Sequence, residues 1–128
     1  MAELRIAAVA ANFGRELDRG VAKVLGIIGD ARARAVDLLV LPHAVLGGYL
    51  ADLRDLTTVD LPPALDLASP QVQEIADAAT GLVVCFGFTE HDPDDGGRWN
   101  SAVCVGDGRV FGHHRKVHQP DGECLVYT

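Results

Sequence analysis

No apolar run in this chain is long enough to cross a membrane: the longest, Leu82 to Phe88, falls far short of the roughly 20 residues a spanning helix needs. The amino terminus lacks a basic region followed by an apolar one, so no secretory segment is read there. Positive charge is scarce. Eleven Lys and Arg against 18 Asp and Glu give a formal net charge of -7, and the only basic patch is His113-His114-Arg115-Lys116. Binding a polyanion needs more than that, so a nucleic-acid partner is excluded. Three cysteines, an odd number with no close CxxC spacing, fit reduced thiols in a cytoplasmic protein rather than a disulfide framework. Internal repeats, low-complexity tracts and interdomain linkers are also lacking. What is present is 128 residues, 48% of them hydrophobic, ordinary for a single domain, taken as residues 1–128, with one core.

The apolar run Leu4 to Ala10 suits a buried strand. A helix follows, with Leu17, Val21, Val24, Leu25, Ile28 and Ala35 on one face and Arg15, Arg19, Lys23, Asp30 and Arg34 on the other. Gly20, Gly26 and Gly29 each cost it about 1 kcal/mol relative to alanine, so packing must supply its stability. Asp37 to Leu41 is a second buried strand, stopped by Pro42, and together these segments form a βαβ unit with a parallel pair. Leu46 to Leu67 is loop-rich, with a short helical turn near Asp52 to Leu56. Ser69-Pro70 caps a second helix carrying Val72, Ile75, Ala76 and Ala79, ended by Gly81. Leu82 to Phe88 is the third strand and His91 to Arg98 a loop. Asn100 to Val105 and Arg109 to His113 flank Gly106-Asp107-Gly108 as a hairpin. The tail after Lys116 shows no readable periodicity.

In such a sheet, functional groups gather at the carboxyl ends of the strands, which singles out His43 and Lys116. Asp37-Leu38-Leu39-Val40-Leu41-Pro42-His43-Ala44-Val45-Leu46-Gly47-Gly48-Tyr49 resembles the nitrilase superfamily stretch in which Leu-Pro-Glu precedes a Gly-Tyr. Asn100-Ser101-Ala102, then Gly112 and His114-Arg115-Lys116-Val117-His118, is similar to that family's second block, and the two lie in family order. The resemblance implies a carbon-nitrogen hydrolase, in which a cysteine thiolate attacks a nitrile or amide carbon, a glutamate acts as base and a lysine stabilises the tetrahedral intermediate. The chemistry is sound, since a thiol with a pKa near 8.5 needs a base or a cation beside it, and developing charge needs a fixed positive group. Lys116 takes the place of that lysine, and Glu123 resembles an additional glutamate that supports the site. Two positions depart. His43 stands where the family has its glutamate base, although an imidazole is still able to act as one near neutrality. The family's nucleophile lies beyond the lysine block, and the chain stops at Tyr127-Thr128 before that segment.

Read without the family, His43 is a structural histidine and Lys116 a solvated charge. Cys85 and Cys104 sit in apolar runs as core thiols, and no strand-to-helix turn presents Cys124 as a nucleophile. Zinc at His113, His114, His118 and Cys124 is not supported, because adjacent strand residues face opposite ways. The expectation is an α/β fold, a mixed β-sheet with helices on one face, which by resemblance is half of an αββα sandwich. By the same resemblance the chain is expected to be a carbon-nitrogen hydrolase family member inactive alone, needing no cofactor or metal and taking a small amide, nitrile or carboxylate ligand. The alternative is a non-catalytic binding or self-associating module. Two helices cover only one face of a sheet whose strands are apolar on both, so a homo-oligomer is expected.

Overall fold

Alternation along the strands decides which side of the sheet meets the helices. The computed structural model describes residues 3–56 and 60–128. Its elements, in order, are β1 (Ile6–Ala8), α1 (Leu17–Ala33), β2 (Leu38–Val40), α2 (Pro70–Ala78), β3 (Val83–His91), β4 (Arg98–Gly106), β5 (Arg109–Arg115) and a 3-10 turn (Glu123–Leu125). The five strands lie side by side in chain order. The first three are parallel and the last two antiparallel. Leu39, Val84, Phe86, Phe88, Val103 and Val105 project to one face and are buried against Val21, Val24 and Ile28 of α1 and Val72, Ile75 and Ala76 of α2. Residues of opposite parity, Ile6 at 57% and Val40 at 37% exposed, look the other way and have no such cover. This is the mixed sheet with helices on one face that the patterning predicts.

Helix α1 stops at Ala33, two residues before the expected limit. Ala35 is exposed, in a left-handed turn with φ 52°. Gly20 is buried where α1 packs closely on the segment after β2: a β-carbon there would stand 3.2 Å from the Val45 carbonyl oxygen. Ser69 occupies the N-cap position of α2, but its hydroxyl makes no cap bond. Strands β3 and β4 run further than the sequence suggests. Their ladder continues to His91 and Arg98, because the acidic, glycine-rich connection closes on itself: Asp92 N–H donates to the Gly97 carbonyl, and the Asp92 carboxylate accepts from Asp94 N–H. The hairpin falls at Asp107 and Gly108, both with positive φ. No helical turn forms at 52–56, and residues 57–59 of that stretch lie outside the described residues.

After β2 the chain leaves the ladder at Pro42 and lies along the far half of β3. Val45 N–H donates to the Gly87 carbonyl, and Leu46 bridges Phe88 in parallel. Gly87 makes this crossing possible, since a β-carbon there would come within 2.9 Å of His43 Cα. The carboxyl end of the sheet thereby gains a cover that the opposite end of the same face lacks.

Candidate active site

Three segments bring polar side chains together over that covered end. The first is the β2 exit, which carries His43 and Tyr49. The second is the end of the β4–β5 ladder, where Lys116 N–H bonds the Asn100 carbonyl at 2.9 Å. The third is the 3-10 turn, entered through Gly122 at φ 93°, where a side chain would strike the Leu53 carbonyl oxygen. That turn buries Glu123 to 1% exposure, unusual for a carboxylate, which must then be paired.

It is paired on every side. Lys116 Nζ donates to both carboxylate oxygens, at 3.0 and 2.9 Å, and the Tyr49 hydroxyl donates to Oε1. Burial raises the Glu123 carboxyl, but hydrogen bonds from Tyr49, Lys116 and Asn100 and the lysine charge outweigh it and hold the group below the ordinary carboxylate value. Burial, then the carboxylate it bonds, pushes the Tyr49 phenol up, so it stays protonated. His43 packs edge-on against the Tyr49 ring, centroids 4.9 Å apart. A continuous chain of contacts therefore links His43, Tyr49, Glu123 and Lys116, although 73 positions separate its first and last members. Behind it, the Tyr127 and Thr89 hydroxyls stand 3.2 Å apart.

The structure brings together all three residues singled out from sequence and adds Tyr49 and Asn100. Both belong to the two motif blocks, so position within a block was the available signal. The cysteines lie elsewhere. Cys85 and Cys104 are not core thiols but half-buried neighbours on the uncovered face, and Cys124 is exposed. Among the described residues no cysteine joins the hydrogen-bonded chain around Glu123, and no group of three or more His, Cys, Asp or Glu is placed to hold a metal ion.

A second polar cluster lies on the helix side of the sheet. Glu90, also buried, accepts from His113 Nε2 at 2.7 Å, from Arg115 at 2.6 Å and from the Ser101 hydroxyl. Arg115 also reaches Asp92 at 2.6 Å and lies over the Trp99 ring. The basic patch of the sequence is thus neutralised internally, with Arg115 on Glu90 and Lys116 on Glu123.

The fold has close counterparts. The glutamine-dependent NAD+ synthetase of Acinetobacter baumannii superposes with a TM-score of 0.76 at 22% identity, over 100% of this chain and 24% of that one. A carbon-nitrogen hydrolase superfamily protein of Xanthomonas campestris gives 0.73 at 20% identity, over 100% and 46%, and Nit3 of Saccharomyces cerevisiae gives 0.68 at 18%, over 90% and 44%. These define an α/β protein of nitrilase-superfamily fold. The family model for carbon-nitrogen hydrolases matches residues 5–126, and the chain belongs to that family. In sequence it is 30% identical over 106 residues to the glutamine-dependent NAD+ synthetase of Acinetobacter baylyi, a match covering 82% of this chain and 18% of that protein. The chain thus spans less than half the length of these relatives.

Proposed function

We propose that this chain carries the lysine-glutamate half of a carbon-nitrogen hydrolase site, binds a small uncharged amide or nitrile there, and does not hydrolyse it unaided. The observation that carries this reading is the buried Glu123 gripped by both Lys116 and Tyr49. The carboxylate cancels the lysine charge, so the site is close to neutral and favours a polar, uncharged ligand over a free carboxylate, while the fixed ammonium remains able to donate to a substrate oxygen or nitrogen. Relatives named for glutamine dependence make a carboxamide side chain the first ligand to try. Among the described residues no thiol stands in the chain of contacts to attack it, and by the family resemblance His43 takes the place of the base.

The test is ammonia release from glutamine, aliphatic amides and nitriles, with and without a thiol-alkylating reagent, alongside calorimetric titration of the same compounds. The expected result is no turnover, together with amide binding that Lys116→Met weakens about tenfold, the value of one charge-assisted hydrogen bond. Turnover abolished by the reagent and by Cys124→Ala would overturn the reading.

A second reading, self-association, is favoured by a different observation. Ile6 and Val40 are exposed on the sheet face opposite the helices, beside Ala8 and Ala102 of the same parity. A second copy laid on that face would bury this apolar surface.

A further inference from the structure

We propose that Cys85 and Cys104 form a reversible thiol-disulfide pair, a modification site separate from the Lys116–Glu123 site and half-buried on the sheet face opposite the helices. The two residues are register partners across the antiparallel β3–β4 ladder, and their sulfurs lie 2.6 Å apart. Register is compatible with the bond, and the close approach of the sulfurs carries it. Directly opposed residues in an antiparallel pair have Cα atoms about 4.5 or 5.5 Å apart, and both separations fall within the roughly 4.4–6.8 Å a disulfide spans.

Access is built in. The sulfurs line a concavity of about 320 Å³ shared with Ala102, Gly112, His113 and His114. The β5 residue opposite Cys104 is Gly112, which places no side chain over the pair. A β-carbon there would meet Cys104 only at 3.8 Å, so larger residues are sterically tolerated and their absence leaves the sulfurs open.

The oxidant class is a hydroperoxide. One sulfur of the pair, reacting as its thiolate, attacks one peroxide oxygen, the O–O bond breaks, and the departing hydroxide takes a proton from solvent, giving a sulfenic acid and water. The partner sulfur, 2.6 Å away, then attacks the sulfenic sulfur as the S–O bond breaks, and its thiol proton leaves with that hydroxide as a second water. Two thiols are oxidised to one disulfide and one peroxide is reduced to two waters. A dithiol reductant reverses it by exchange.

The experiment uses the full chain at submicromolar concentration, fully reduced, exposed to hydrogen peroxide, quenched with an alkylating reagent and read by intact mass and peptide mapping. The expected result is a mass loss of about two units before alkylation, alkylation of Cys124 alone, and a single cross-linked peptide joining residues 85 and 104, all reversed by dithiothreitol. Cys124→Ser should behave like the parent. Gly112→Val should slow formation several-fold by roofing the sulfurs. Over-oxidation at one cysteine without the cross-link, a disulfide through Cys124 or between chains, or no reaction in the parent and Cys124→Ser would each overturn the proposal.

Discussion

Glu123 shows what one buried carboxylate contributes. Its pKa in the folded chain lies below the ordinary value of 4.5, so folding favours the ionised form. That stabilisation is fully present above the unfolded value and is lost as pH falls through the folded one. Thermal midpoints measured from about pH 6 down to about pH 3 should therefore fall for the parent, and fall less steeply for Glu123→Gln, which has no proton to gain. An equal slope in both proteins would mean that acid sensitivity arises elsewhere. Glu90 has the same sign. Burial raises its carboxyl, but bonds from Arg115, Ser101 and His113 lower it further, so some slope should persist in the Glu123 variant. Glu90→Ala would leave Arg115 and His113 beside an empty buried site. Its expected cost is about 3 kcal/mol, near the low end for a broken buried pair because Arg115 keeps Asp92, as measured by urea unfolding.

At the scale of elements, the parallel core and the motif blocks were legible in the sequence, because apolar periodicity and the Pro42 stop are local signals. The extents of β3 and β4 were not. His91 and Arg98 read as loop because they are polar and border Asp, Pro and Gly, and Glu90 falls outside the strand read as Leu82 to Phe88. Yet Glu90 is held in the strand by ion pairs to residues 23 and 25 positions away, which no local window contains. Glu123 was legible only by resemblance: nothing in an aperiodic tail shows that Gly122 folds it back under Tyr49. Gly87 carried no signal as a site determinant, although it lets the His43 segment cross β3. Gly87→Ala should lose roughly 1–3 kcal/mol through overpacking against backbone that has no free rotamer to yield, and should weaken amide binding together with stability. A variant that binds normally would show that the crossing is able to shift without disturbing Tyr49.

For the whole molecule, the two sides of the sheet have opposite fates. One is filled by α1 and α2, while the other, among the described residues, is closed only at its carboxyl end by His43, Tyr49 and Glu123. Burying several hundred Å² of the remainder at roughly 25 cal/mol per Å² provides a driving force for pairing, and sedimentation equilibrium at micromolar concentration should show a species of twice 13.6 kDa. A monodisperse monomer would remove the self-association reading and leave the amide site untouched. The two sulfurs of β3 and β4 lie within this disputed surface, which makes them a built-in gauge of its occupancy. Whatever settles on the face shields them, so the rate at which peroxide consumes them, followed across protein concentration, traces a binding isotherm without any added label.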